Sequence, residues 1–147
     1  MTWIEYPYTG FWVKERLIKR PLIDVEIAYQ GSRTTQLAVI DSGAEMTMIS
    51  GDLAQMLDID VATLERTTVG GIMGGTPDAY VCPVTITVEG FQDESFKADA
   101  VFVPGLRVNI LLGQYDFFEN FRVQFSKDID VFKLSRVQKE PQPENLA

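Results

Sequence analysis

The chain has 147 residues, of which 46% are hydrophobic, and a formal net charge of -8 at pH 7. That length suits one globular domain with a real core, and the negative charge argues against binding to a phosphate backbone. The sequence has no histidine and one cysteine, Cys82, which excludes a zinc site, a Ser-His-Asp triad and a Cys-His dyad.

Two further classes are disfavoured by what the sequence lacks. No apolar run approaches the length of a membrane span. The N-terminus carries charges among its aromatic residues and has no apolar block of the kind that a secretory signal needs. We therefore expect a cytoplasmic protein with no membrane partner, no nucleic-acid partner, no metal and no cofactor.

The two ends of the chain differ in composition from its middle. Residues 1-20 are rich in aromatic side chains, and we predict an N-terminal extension that adds a strand or covers an interface between two copies, because such a run is not expected to remain in water. Residues 21-137 form the predicted domain. Residues 138-147 are polar with two prolines, which predicts a disordered tail.

Short runs of alternating apolar and polar residues follow one another through the middle of the chain. Ile23-Asp24-Val25-Glu26-Ile27 is one such run, and Phe121-Arg122-Val123-Gln124-Phe125 is another. A period of two, interrupted by Gly, Pro, Asn and Asp, predicts antiparallel strands that each bury one face. The predicted strands lie near 22-29, 35-40, 66-73, 78-90, 96-103, 121-126 and 130-136.

Two helical segments interrupt this pattern. Leu53, Met56 and Leu57 fall at positions i, i+3 and i+4, which predicts a short helix near 51-57. Ser50 is the predicted N-cap, because its hydroxyl can accept a hydrogen bond from the first turn. One or two further helical turns are predicted over 115-120.

The segment Val39-Ile40-Asp41-Ser42-Gly43-Ala44 places a carboxylate on a tight turn directly after an apolar strand. Alone, Asp-Ser-Gly is weak and can be an ordinary turn. A glycine-rich strand-turn-strand follows at Val69-Gly70-Gly71-Ile72-Met73-Gly74-Gly75; alone, it fits a flexible hairpin, and it is no P-loop because no Gly-Lys-Ser/Thr follows. A third segment is Val108-Asn109-Ile110-Leu111-Leu112-Gly113.

In this order, the three segments resemble those of retropepsin-type aspartic proteases. The string from Asp41 to Ser50 is also similar to the retropepsin-like domain of DNA-damage-inducible proteins and to bacterial gag-type aspartyl proteases. The resemblance spans roughly 21-134 and implies an all-β fold, a retropepsin-like closed antiparallel β-barrel with one or two short helices. Gln114 is a departure, because many members have arginine after the glycine that corresponds to Gly113.

The resemblance implies an aspartic endopeptidase that acts as a homodimer on a peptide or protein substrate. The reaction needs two carboxyl groups that share a proton, and the sequence has one Asp-Ser-Gly. Asp41 of each copy would be catalytic, and the active-site loop would comprise Ser42, Gly43 and Ala44. The implied substrate-binding residues are Glu45 and, in the flap, Gly70, Gly71, Ile72, Met73 and Gly74.

Two other interpretations stay open. One is a catalytically silent dimer of the same fold that binds an extended peptide by strand addition. The other is a barrel scaffold whose interface only assembles another component. The intact Asp41, Ser42 and Gly43 favour the enzyme, because a binding module has no need for a carboxylate on a two-fold axis.

Overall fold

A computed structural model describes residues 2–69 and 78–138 of the chain. The strands in these ranges are β1 Ile4–Pro7, β2 Thr9–Val13, β3 Arg16–Arg20, β4 Leu22–Tyr29, β5 Ser32–Ile40, β6 Met48–Ser50, β7 Glu65–Thr68, β8 Asp78–Val88, β9 Phe96–Val103, β10 Ile110–Leu112, β11 Phe121–Ser126 and β12 Val131–Arg136. Helix α1 spans Leu53–Met56, 3-10 turns lie at Val61–Thr63 and Lys127–Ile129, and a π-helical turn spans Gln114–Phe118.

Six strands close into a barrel in the order β4-β5-β10-β6-β9-β8, and β8 pairs back onto β4. At this closure Ile27 lies opposite Ile86, and Val25 lies opposite Val88. All four side chains are buried, while Asp24, which precedes Val25 on β4, is exposed. Alternation in the sequence thus becomes an inner and an outer face, and the predicted all-β closed barrel is confirmed.

Of the six pairs of neighbouring strands in the barrel, two run parallel and four run antiparallel. β10 is parallel to β5, and β6 is parallel to β9. These pairings bring the carboxyl ends of β5 and β10 side by side, since Leu112 lies opposite Ile40. The arrangement matters for the site because the chain leaves both strands at one end of the barrel.

Most predicted strand boundaries agree with the structure. β4, β9 and β11 match the predicted ranges, and β7 occupies the first part of the predicted strand 66-73, of which residues 70-73 lie outside the described residues. β5 begins earlier than predicted because the turn at Gln30 and Gly31, with φ of 44° and 87°, returns the chain at once into pairing with β4.

The helix prediction near 51-57 holds only in part. α1 covers Leu53–Met56, and its N-cap position is Asp52. The assignment of Ser50 as the N-cap is wrong, because Ser50 ends β6 and pairs with Val103 of β9. Across the described ranges, no helix is both long and apolar enough to cross a membrane.

The N-terminal residues form two separate structures. β1 pairs antiparallel with β12, and β12 pairs with β11, so these three strands form a second sheet that joins the two ends of the chain. β2 and β3 form a two-stranded hairpin. Trp12 is 71% exposed and Leu17 is 49% exposed, and they lie opposite each other on this hairpin.

Tyr6 anchors β1 to the barrel. Its ring stacks on Phe132 with a centroid separation of 5.2 Å, and its hydroxyl donates a hydrogen bond to the Glu89 carbonyl oxygen at 2.5 Å. Burial, followed by the charge of Glu89, raises the pKa of Tyr6 to about 12. The hydroxyl therefore stays protonated and remains a donor at all physiological pH values.

Removing this hydroxyl is expected to destabilise the protein. Tyr6→Phe should lower the free energy of unfolding by about 1 kcal/mol, because the Glu89 carbonyl loses its donor. Tyr8→Phe is the matched control, since Tyr8 also packs against Phe132, at 6.0 Å between centroids, without that hydrogen bond. Denaturant unfolding measures both variants, and equal losses would contradict the assigned role of the hydrogen bond.

An aromatic cluster joins the π-helical turn to the barrel. Phe117 stacks on Phe121 at 5.1 Å, and Phe121 also meets Phe91 edge-on at 5.0 Å and Phe96 of barrel strand β9 at 5.9 Å. Phe117 and Phe121 are almost fully buried. Because closely packed aromatic rings resist displacement, the cluster fixes the position of the segment that begins at Gly113, beside the ends of β5 and β10.

Candidate active site

Asp41 is the first residue after β5, at the end of the barrel where β5 and β10 terminate. Its backbone N–H donates to the Leu112 carbonyl oxygen at 3.1 Å, which continues the parallel pairing by one step. The residue is half-buried, whereas Ser42 and Gly43 are exposed. The strand thus delivers a carboxylate to the surface of a single copy, on a backbone fixed by its neighbour.

The loop after Asp41 folds back on its carboxylate. The Gly43 N–H donates to Asp41 Oδ1 at 2.9 Å, and the Ala44 N–H donates to the Asp41 carbonyl oxygen at 3.2 Å. This is the geometry of an Asx turn, in which the side chain takes the place of a backbone acceptor. The predicted loop residues Ser42, Gly43 and Ala44 therefore surround Asp41 in space as well as in sequence.

The segment after β10 holds this loop from the other side. The Gln114 N–H donates to the Ala44 carbonyl oxygen at 2.9 Å, and the Tyr115 N–H donates to the Glu45 carbonyl oxygen at 2.9 Å. The side-chain amide of Gln114 also donates to the Ser42 carbonyl oxygen, at 2.7 Å. Three carbonyl groups of the loop, those of Ser42, Ala44 and Glu45, thus accept hydrogen bonds from two residues.

Gly113 permits this close approach. A Cβ atom at residue 113 would lie 2.4 Å from the Met46 carbonyl oxygen and 3.0 Å from that of Ala44. The Gly113 N–H donates to the Thr47 hydroxyl at 3.3 Å, and Thr47 is fully buried. The two segments therefore pack backbone against backbone, with a buried hydroxyl between them.

The sequence analysis did not identify the supporting residues Thr47 and Asp116. Burial, followed by the nearby charge of Asp99, raises the pKa of the Asp116 carboxyl, while hydrogen bonds from Thr47 lower it. One signal for Thr47 was present in the sequence, since it is polar between two methionines. A polar residue in an apolar run often marks a buried hydrogen bond.

The predicted substrate-binding residues fall into two groups. Glu45 is exposed and lines an open depression of about 390 Å³ beside the loop, together with Gln114, Tyr115, Phe118 and Glu119. The predicted flap residues Gly70, Gly71, Ile72, Met73 and Gly74 lie outside the described residues, and their role stays a prediction.

The carboxylate of Asp41 is the group at this site that is suited to acid-base chemistry. In the ranges 2–69 and 78–138, no group of three or more His, Cys, Asp or Glu side chains is placed to hold a metal ion. Asp41 is half-buried at the surface, and the loop after it consists of the small residues Ser42, Gly43 and Ala44. One copy supplies one such carboxylate, because Asp-Ser-Gly occurs once in the sequence.

Comparisons with known proteins identify the family and the fold of the chain. A family model described as aspartyl protease matches residues 23–115. The crystal structure of a retropepsin-like aspartic protease from Rickettsia conorii is 17% identical, covers 90% of this chain and 98% of that chain, and has a TM-score of 0.61. EIAV protease complexed with the inhibitor HBY-793 is 22% identical over 71% of this chain and 88% of that chain, with a TM-score of 0.49. No curated protein matches the chain.

Proposed function

The chain belongs to the aspartyl protease family, and on that premise we propose that it is an aspartic endopeptidase whose active site forms between two copies. The observation that carries this proposal is the position of Asp41. Its carboxylate lies on a surface loop at the joined ends of β5 and β10, and the loop is held by hydrogen bonds on both sides. A half-buried carboxylate on a fixed loop, next to the exposed Ser42 and Gly43, suits a site that a second surface completes.

The proposed reaction uses the two Asp41 carboxyl groups as a pair. When two carboxyl groups lie about 3 Å apart they share one proton, because like charges at that distance do not both ionise. The ionised group removes a proton from a water molecule that attacks the peptide carbonyl carbon. The protonated group donates to the carbonyl oxygen as the tetrahedral intermediate forms. Glu45 and the glycine-rich segment 70-74 are the proposed contacts to the substrate.

A homodimer is proposed because one chain supplies half of this pair. Ser42 and Gly43 are exposed beside Asp41, so the loops of two copies can meet on a two-fold axis. The Ser42 hydroxyl is then available for a hydrogen bond to the partner loop. The alternative of a silent peptide-binding dimer shares this assembly and differs only in the chemistry.

The β2-β3 hairpin is proposed as a second part of the dimer interface. An isolated two-stranded hairpin is at best marginally stable in water, and this one exposes Trp12 and Leu17 on a shared face. Residues 9–20 contain four basic residues and one acidic residue, in a chain whose net charge is -8. Lys19 already pairs with Asp130 of the same chain, while the other basic residues of the hairpin can meet the net negative charge of a second copy. In a two-fold dimer each such contact occurs twice.

Activity per subunit is expected to fall on dilution, because dissociation separates the two halves of the site. Cleavage rate and sedimentation coefficient, measured over the same concentration series, should change together. In the double variant Trp12→Ser and Leu17→Ser, the loss of activity and the dissociation of the dimer should both occur at higher protein concentration than in the wild type. A wild type that retains its activity as a monomer would contradict the two-copy site.

A peptide-cleavage assay tests the proposed reaction itself. The protein is incubated with a diverse mixture of peptides, with and without pepstatin, and the products are identified by mass spectrometry. We expect endoproteolytic cleavage that pepstatin inhibits and that has a bell-shaped pH profile, as a shared proton requires. Peptide binding without cleavage at any pH would favour the silent dimer.

A further inference from the structure

We infer that Gln114 is a positioning residue for the Asp41 carboxylate and that it acts through the Ser42–Gly43 peptide group. The inference rests on the proposed function only in that Asp41 is taken as the reacting group. Its structural basis is a chain of two hydrogen bonds. The Gln114 side-chain amide donates to the Ser42 carbonyl oxygen at 2.7 Å, and the Gly43 N–H donates to Asp41 Oδ1 at 2.9 Å.

These two bonds hold opposite edges of one rigid unit. The Ser42 carbonyl and the Gly43 N–H belong to the same peptide group, which is planar and resists twisting. In a trans peptide the two groups point in opposite directions, so a rotation that breaks one bond also misdirects the other. Gln114 on one edge therefore restricts how the N–H on the other edge meets the carboxylate.

The peptide group needs such restraint because its surroundings supply little. Ser42 and Gly43 are both exposed, and glycine permits a wide range of backbone angles. Barrel pairing reaches as far as the Asp41 N–H, and the next backbone anchor is the Ala44 carbonyl oxygen. Between these two anchors the loop makes two bonds to Asp41 itself, from the Gly43 and Ala44 N–H groups. The Gln114 side chain adds the contact to the Ser42 carbonyl oxygen, and it comes from outside the loop.

Gln114 suits this role by length and by chemistry. A carbonyl oxygen needs a donor, and the side-chain amide of glutamine supplies one without charge. Glutamate has the same length, but its ionised carboxylate only accepts hydrogen bonds. The backbone contacts of residue 114 do not depend on its side chain, since the Gln114 N–H bonds the Ala44 carbonyl oxygen in any variant other than proline. Substitution therefore isolates the side-chain contact.

The test compares Gln114→Glu and Gln114→Ala with the wild-type dimer in the peptide-cleavage assay. We expect kcat to fall roughly fivefold to tenfold in both variants near neutral pH, the loss that one misdirected hydrogen bond produces, with KM changed less than twofold. The matched control is Gln55→Glu, which makes the same chemical change at an exposed position of α1. That control should retain wild-type kcat.

The pH dependence separates positioning from a general structural role. As the pH falls through about 4.3, the ordinary range of a glutamic acid, the introduced carboxyl group becomes a donor. The ratio of Gln114→Glu kcat to wild-type kcat should therefore rise toward one on acidification, while the ratio for Gln114→Ala should stay flat. Equal, pH-independent losses in both variants would overturn the inference, as would wild-type kcat in both.

A second readout does not depend on catalysis. Amide hydrogen exchange at Gly43, followed by NMR at neutral pH, should be about tenfold faster in Gln114→Ala than in the wild type, because the Gly43 N–H is less well held. If the wild type cleaves no peptide but Gly43 exchange accelerates, the proposed function fails and the inference about the loop stands. If the wild type cleaves peptides and Gly43 exchange is unchanged in Gln114→Ala, the inference fails and the function stands.

Discussion

Replacing Asp41 with asparagine is expected to abolish peptide cleavage and to leave the barrel folded. Asparagine keeps the side-chain oxygen that accepts the Gly43 N–H, a bond of 2.9 Å in the structure, so the loop retains its turn. It neither removes a proton from water nor shares one with a second carboxyl group. Loss of general acid-base catalysis alone lowers kcat by about 10²- to 10⁴-fold, and both copies in the dimer carry the change.

A matched substitution shows whether this loss is specific. Asp24→Asn removes the same charge at an exposed position of β4, so it should retain wild-type kcat and wild-type stability. Thermal unfolding and sedimentation should show that both variants fold and form dimers like the wild type. Cleavage by Asp41→Asn at more than a tenth of the wild-type rate would remove Asp41 from the proposed mechanism.

Gly113→Ala is expected to damage both the fold and the site. The backbone of Gly113 has φ of -108°, which alanine adopts without strain, so the effect comes from space alone. The added Cβ would lie 2.4 Å from the Met46 carbonyl oxygen and 2.5 Å from the Met46 carbonyl carbon. Because both are backbone atoms, the two segments must separate, and overpacking of this kind costs about 1–3 kcal/mol.

The separation should also weaken the hydrogen bonds from residues 114 and 115 to the Asp41 loop, so kcat should fall in the fraction that remains folded. Gly31→Ala is the control, because no atom lies within 4 Å of its added Cβ, while its φ of 87° is unfavourable for alanine. That variant should be destabilised by about 1–2 kcal/mol with unchanged kcat. If Gly113→Ala kept wild-type stability and kcat, the close packing described for the site would be wrong.

The barrel and the place of Asp41 were predictable because both depend on local patterns. Alternation in β4 and β11 follows from burial of one strand face. The Asp-Ser-Gly triplet after Val39 and Ile40 marks the end of a strand. The short strands β6 and β10 were not predicted. Each has three residues, and their parallel partners lie far away in the sequence, so no local period identifies them.

The support of the site was harder to predict for a related reason. The contact between Gln114 and Ser42 joins residues 72 positions apart, and it depends on β5 and β10 lying side by side. β1 and β12 come together from opposite ends of the chain. Such pairings are decided by tertiary packing, and residue type alone does not reveal them.

The most direct test of a site shared by two copies is a mixing experiment. Wild-type protein is equilibrated with a threefold excess of Asp41→Asn at a total concentration far above that of dimer dissociation. Random pairing leaves about one quarter of wild-type chains with a wild-type partner, so activity per wild-type chain should fall to about one quarter. Unchanged activity per wild-type chain, with mixed dimers present, would show that one copy is sufficient and would contradict the account.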